Sequence, residues 1–341
     1  MVEHSPKVRF SFIDGLRGLA SLAVVFFHAG AGGHIDRLPD IVLKILTFGE
    51  LGVPVFFVIS GFVITHSLRN IDMSAAGLGQ FMLKRSIRLD PPYWAVLIGT
   101  AALSWFAAAF FPSLTADLHT IDQLLAHMVY AQDILGYPLV NAAFWTLAYE
   151  IQFYIVFALL LATRSPDVLI AAFVLSLLWP VGIGPDIPGL FVNLFYAFLL
   201  GVGAYLSWQR QGCRLWFAGY AGVILVASVI NGNLFGLACV ITALGLVAIA
   251  MAGKLGSFSS VWPLQFLGLI SYSLYLTHNP VSGIGFRLWY ALVGRSPHTE
   301  ALGLLVVVSL CIAVATAFYY LVERPFIALS NSRPKPRIGT A

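Results

Sequence analysis

Stretches of roughly 20 apolar residues recur along this 341-residue chain, separated by short segments that hold most of its charge. A helix of that length matches the ~30 Å hydrocarbon core of a bilayer, and within lipid only helices and closed barrels satisfy their own backbone. Ten candidate helices can be placed, at residues 11–31, 45–68, 92–112, 142–163, 167–180, 189–208, 214–231, 233–252, 265–291 and 301–324. The fifth is short and the ninth is interrupted by Pro280. With 59% hydrophobic and only 10% charged residues, and a mean hydropathy of +0.88, the chain is too apolar for a soluble domain of this size. The expected fold class is all-α: a polytopic membrane protein of about ten transmembrane helices.

Lys and Arg in short loops stay on the cytoplasmic side. With the N-terminus inside, 14 of the 19 Lys and Arg residues fall in inner segments; only Arg37, Lys44 and Arg295 fall outside, while Arg17 and Arg287 lie within spans. Both termini are therefore expected in the cytoplasm. The net charge of +4 then reports topology, and nucleic acid is excluded as a partner. Lys7 and Arg9 before an apolar run ending Ala29-Gly30-Ala31 imitate a cleaved leader, but Asp14 and Arg17 inside that run favour a retained helix. Cys213, Cys239 and Cys311 give neither a disulfide framework nor metal-ligand spacing, so no metal is expected. One membrane domain is expected over 1–326, followed by a basic tail at 327–341 expected to be disordered.

The two longest connections are an inner loop, Arg69 to Pro92, and an outer segment, Phe111 to Asn141. The outer one holds Asp117, His119, Asp122, His127 and Asp133 without a Lys or Arg. Its Ile121, Leu124, Leu125 and Met128 recur at helical spacing, predicting a short interfacial helix.

Arg17 and His28 share the first span, eleven residues apart, which places them on one face and roughly 16 Å apart along the axis. An arginine at mid-membrane costs on the order of 3 kcal/mol unless it faces protein, water or ligand. One reading pairs Arg17 with Asp14 and leaves His28 as a cap. The other makes His28 a general base, because its ordinary pKa of ~6.5 lets it accept a hydroxyl proton near neutrality, with Arg17 orienting an anionic group.

Lys84, Arg85 and Arg88 precede Pro91-Pro92-Tyr93-Trp94. If the segment is helical, positions 85 and 88 face the same way and can grip phosphates, although a positive-inside anchor has the same signature. Glu150 is the acidic residue well inside a span, with Tyr149 beside it and Thr146, Phe153 and Tyr154 on its face. It either pairs with a cation such as Arg17 or does proton work near His28. Ser271, Tyr275 and His278 share a face just before Pro280, a second polar patch that serves either substrate lining or helix packing. Phosphate-binding glycine loops and a serine-nucleophile elbow are absent from the sequence, and Ser60 reads as a packing residue.

Six runs in order resemble the acyltransferase-3 family of integral membrane acyltransferases. They are Asp14-Gly15-Leu16-Arg17-Gly18-Leu19-Ala20 with His28, Val53 to Phe62, Arg85-Ser86-Ile87-Arg88, Trp145-Thr146-Leu147 with Glu150, Ser271 to His278, and Val322-Glu323-Arg324-Pro325-Phe326. The resemblance implies ten spans in a bacterial cytoplasmic membrane, a cytoplasmic acyl-CoA donor, usually acetyl-CoA, and transfer to a hydroxyl of a saccharide or glycolipid acceptor. It implies essential roles for Arg17 and His28 and a donor-side role for Arg85 and Arg88. Asp90 stands where an aromatic residue is often found. No hydrolase-like domain follows the last span of this sequence, so direct transfer by the one domain is expected.

The expected site is thus His28, Arg17 and Glu150 as catalytic residues and Lys84, Arg85 and Arg88 as donor ligands. Tyr149, Tyr275 and His278 are candidate substrate-lining residues. Exopolysaccharide is the first acceptor to consider. Two readings compete: a transporter with an Arg17, Glu150 and His278 proton relay, and an acyl-donor channel serving a separate enzyme.

Overall fold

The computed structural model describes residues 10–110, 118–257 and 261–333. Lys7, Arg9, Asp117 and residues 334–341 lie outside the described residues. In chain order the helices are α1 (Ser11–Ala31), α2 (Asp40–Thr47), α3 (Gly52–Leu68), α4 (Ala75–Phe110), α5 (Ile121–Met128), α6 (Phe144–Ala162), α7 (Pro166–Ser176), α8 (Leu178–Val181), α9 (Phe195–Gln209), α10 (Arg214–Ile230), α11 (Leu234–Met251), α12 (Trp262–Val293), α13 (Pro297–Phe318) and α14 (Arg324–Ser332). No strand occurs among the described residues. The chain is an all-α polytopic membrane protein.

Among the described residues, eight helical segments are long and apolar enough to cross a bilayer: α1, Asp40–Leu68, α4, α6, Phe191–Gln209, Gln211–Ile230, α11 and Pro297–Ser332. The other two expected spans, the fifth and the ninth, fall outside this set on length and on polarity respectively. The fifth expected span is the 16-residue pair α7–α8, Pro166–Val181, too short to span on length alone. The ninth is α12, which at 32 residues is ample in length, about 48 Å at ~1.5 Å per residue, but too polar to be counted. Its residues 270 to 278 are all buried, so this middle stretch faces protein and needs no apolar surface for lipid, whereas Leu269, Ile284, Leu288 and Leu292 outside it are exposed. Pro280 does not break it.

Two buried helices organise the bundle. Around α9 pack Phe57, Phe62, Phe153 and Phe173 in the larger apolar core; α3 and α9 meet at Gly61 and Gly201, where a Cβ would lie 1.9 Å from the Phe198 and Val58 carbonyl oxygens respectively. Around α12 pack α1 and α13, joined through Val25, Ile270, Leu274, Phe286 and Val307. Helices α1 and α12 meet at Gly18, where a Cβ would lie 2.6 Å from the Gly268 nitrogen, and at Gly268, where it would lie 2.2 Å from the Asp14 carbonyl oxygen. Glycine at both positions lets the two backbones touch.

Helix α4 starts at Ala75, not at 92, and carries Pro91 and Pro92 in its interior. The stretch read as an inner loop is therefore mostly helical, which places Arg85 and Arg88 one turn apart on one face. Neither proline can donate to the preceding turn; beside them the Tyr272 hydroxyl of α12 donates to the Leu89 carbonyl at 2.7 Å. The predicted interfacial helix is α5, with Ile121 and Leu125 exposed. Residues 327–332 belong to helix α14.

At the end opposite Arg69 and Arg210, a clasp ties the α1–α2 loop to the start of α13. Fully buried Glu300 accepts from Arg295 Nε at 2.9 Å and from the backbone N–H groups of Asp36 and Arg37 at 3.1 and 2.7 Å. The Arg295 guanidinium also donates to the Gly33 and His34 carbonyls.

Candidate active site

A cavity of about 870 Å³ opens between α1, α3, α4, α6 and α12. Its wall is part aromatic, with Phe56, Phe57 and Tyr275, and part polar, with Arg17, Ser60, Arg85, Arg88, Thr146, Glu150, Ser271 and Tyr272. A second cavity of about 450 Å³ shares Arg17, Arg88, Ser271 and Tyr272 with it and adds Asp14, Tyr319 and Glu323. Together they run from the middle of the bundle toward the end that carries α14 and the first turn of α1.

The three arginines are held differently. Arg85 donates to the Tyr154 hydroxyl and lies 3.7 Å from Glu150 Oε1. That carboxylate oxygen also accepts from Tyr154 and from Ser60 Oγ. Arg17 and Arg88 make no hydrogen bond and no ion pair within 4.0 Å among the described residues, yet both border the two cavities. Glu323 borders the second cavity but gives one oxygen to Ser273 Oγ at 2.6 Å. Guanidinium groups without a bonded partner are the side chains whose fork of N–H donors matches an oxyanion.

At the other end of the larger cavity stands Tyr275, whose hydroxyl meets Thr146 Oγ1 at 2.6 Å. The Thr146 hydroxyl in turn donates to the Ala143 carbonyl at 3.0 Å. Beyond this pair lie His28 and His278, whose rings face each other with Nδ1 of His28 3.2 Å from Nε2 of His278. His278 is fully buried and packs beside Tyr275, while His28 keeps part of its surface open.

The structure thus brings Arg17, Arg85, Arg88, Glu150 and Tyr275 to one cavity. It does not bring Lys84 or Tyr149 there: each is one position, about 100° of helix, off the face carrying Arg85 or Glu150. Tyr149 instead stacks edge-on against Trp145. His28 and His278 lie off the cavity wall too, and His28 meets His278 rather than Arg17 or Glu150. Glu150 pairs with Arg85 rather than Arg17, and Arg17 does not ion-pair with Asp14. Ser60, read as a packing residue, is a direct partner of the carboxylate. Its polar signal was one hydroxyl in an apolar run, which small-residue packing explains equally well.

Residues 10–322 match the acyltransferase domain of the acyltransferase-3 type. Among curated proteins, the membrane-bound transacylase BcsY of Komagataeibacter xylinus is 27% identical over 96% of this chain and 86% of its own length. The acyltransferase MdmB of Streptomyces mycarofaciens is 26% identical over 96% of this chain and 94% of its own. The peptidoglycan O-acetyltransferase OatA of Listeria monocytogenes is 26% identical over 79% of this chain, which spans about half, 49%, of that longer protein. No solved structure matches. The domain match takes in α1 with Arg17 and His28, the Arg85 and Arg88 turn, Glu150 and the whole of α12, and on that extent the chain belongs to the acyltransferase-3 family and is a membrane acyltransferase.

Proposed function

We propose that this chain is an O-acetyltransferase of a bacterial cytoplasmic membrane, moving an acetyl group from acetyl-CoA to a hydroxyl of an exopolysaccharide or its lipid-linked precursor. The observation that carries the donor assignment is the pair of unpartnered guanidinium groups, Arg17 and Arg88, on the wall shared by the two cavities. Phosphate oxygens satisfy such groups bidentately. On the positive-inside reading, the second cavity runs toward the cytoplasm, the side that supplies acyl-CoA.

In this reading Arg17 and Arg88 hold phosphate. Arg85 is fixed by Glu150 and Tyr154 as a neutralised part of the wall, which makes Glu150 a positioning group for the arginine. His28 Nε2 takes the proton of the acceptor hydroxyl as its oxygen bonds to the thioester carbonyl carbon. The carbon–sulfur bond then breaks, the sulfur leaves with its electron pair, and the proton held by His28 passes to it, giving CoA thiol and the ester. His28 lies past the Tyr275–Thr146 pair from the donor cavity, toward the end where Arg37 and Arg295 fall. Donor and acceptor therefore approach it from opposite ends of the bundle.

The relatives named as O-acetyltransferase, transacylase and acyltransferase support group transfer over transport. The proton-relay alternative finds no support in the geometry, since Arg17, Glu150 and His278 share no hydrogen bond. The test is transfer of label from acetyl-CoA to a polysaccharide fraction by the purified chain in lipid. Release of CoA that depends on acceptor is expected. Binding of CoA without transfer would leave only a donor channel.

A further inference from the structure

We infer that His278 is a positioning residue that fixes the tautomer and orientation of His28, so that the His28 Nε2 lone pair is the one offered to substrate. The inference rests on the reading of His28 as the acyl-transfer base.

Two backbone carbonyls determine the protonation pattern. His278 Nδ1 lies 2.7 Å from the Tyr275 oxygen and 3.1 Å from the Leu274 oxygen. A carbonyl only accepts, so Nδ1 carries the hydrogen, and in a neutral ring Nε2 is then an acceptor. That acceptor sits 3.2 Å from His28 Nδ1, which is itself 3.0 Å from the Val24 carbonyl. Both neighbours of His28 Nδ1 accept, so this nitrogen also carries a hydrogen. His28 Nε2 is left with its lone pair, and it has no hydrogen-bond partner among the described residues.

The register of the two helices makes the pair rigid. Gly18 meets Gly268 and His28 meets His278, each pair 250 positions apart, so α1 and α12 run parallel without slippage over ten residues. His278 itself has no room to turn: it is fully buried, and Cys311 of α13 packs against its carbonyl. When His28 takes a proton at Nε2, its Nδ1–H remains bonded to Val24 and His278, so no rearrangement accompanies the transfer. The same lone pair would be the nucleophile if the acyl group passed through His28, and the role of His278 would not change. This is the logic by which a second group holds a catalytic imidazole in its productive tautomer, here with a neutral ring in place of a carboxylate.

Three substitutions separate this role from simple packing. The amide of His278→Gln reaches the place of the ring Nε2 and accepts from His28. The amide of His278→Asn reaches only the place of Nδ1, keeping the contact to the α12 carbonyls but not the one to His28. His278→Leu loses both. With acetyl-CoA and a polysaccharide acceptor, kcat is expected to stay within a few-fold of the natural chain for His278→Gln. It should fall at least about 10-fold for the Asn and Leu variants, with KM for acetyl-CoA unchanged. Equal kcat in the folded Gln and Asn variants, or natural kcat in either Asn or Leu, would overturn the inference. His28→Ala is run beside them: if it retains turnover, the base reading itself fails, whatever the position 278 variants do.

Discussion

Gly18 and Gly268 touch backbone to backbone, and this contact sets how α1 carries Arg17 to the cavity and His28 to His278. A Cβ on Gly268 would stand 2.2 Å from the Asp14 carbonyl oxygen, a main-chain atom that cannot swing away. Gly268→Ala should therefore force the helices apart and cost about 1–3 kcal/mol, read as a lower thermal midpoint in detergent. Activity should drop further than stability explains, because His28 and His278 separate with the helices. A natural midpoint in this variant would show that the crossing is looser than the geometry states.

Arg88→Ala removes an unpartnered cation from the wall shared by the two cavities. A charge-assisted hydrogen bond contributes about 1.5–3 kcal/mol, so KM for acetyl-CoA should rise about 10- to 100-fold with the fold intact. Arg88→Lys should recover only part of this, since an ammonium cannot bind phosphate bidentately. Lys84→Ala, off the wall by its helical position, should leave KM near its natural value. Steady-state kinetics on the three variants checks the assignment, and equal effects from Lys84 and Arg88 would contradict it.

Glu150 and Arg85 are both 21% exposed along their side chains, so their pairing is only partly screened. Glu150→Ala leaves the guanidinium beside Tyr154 without its counter-charge, and Arg85→Met leaves the carboxylate with hydroxyl partners alone. Each single variant should be less stable than the double variant, because an unmatched buried charge costs more than an absent pair. Thermal midpoints for the four proteins of the cycle measure this. Strict additivity would remove the coupling.

Glu300 holds the α1–α2 loop through two backbone N–H groups and Arg295. Glu300→Ala leaves both amides without their acceptor and Arg295 without its carboxylate contact, a loss of about 2–4 kcal/mol. Hydrogen exchange should quicken in residues 32–39 before it changes elsewhere.

His127, on α5 between the spans, accepts the Val140 N–H at Nε2, 3.2 Å away, and donates from Nδ1 to Gln123. Burial holds its pKa below the ordinary 6.5. The unfolded chain then binds more protons than the folded one as pH falls below 6.5, so the contribution is complete above that value and is lost on acidification. His34, lowered by burial and by Arg287 and Arg295, acts in the same direction. The thermal midpoint should fall from pH 7 to about pH 5.5, and His127→Gln should make that fall shallower. An unchanged slope would mean that this histidine titrates alike in both states.

The sequence by itself determined the membrane class, the common face of Arg17 and His28, the common face of Arg85 and Arg88, and the family. Each depends on composition or on spacing within a single helix, which the 3.6-residue period makes readable. The length and continuity of α12 escaped the same reading, because its middle, residues 270–278, is buried in protein and carries polar side chains in place of an apolar lipid-facing run. Only the tertiary structure decided which charges pair. Arg85 takes Glu150, Arg17 borders both cavities without a bonded partner, and His28 meets a histidine 250 residues away. Those choices follow from where glycines let helices touch, and a contact between distant segments leaves no period in the chain.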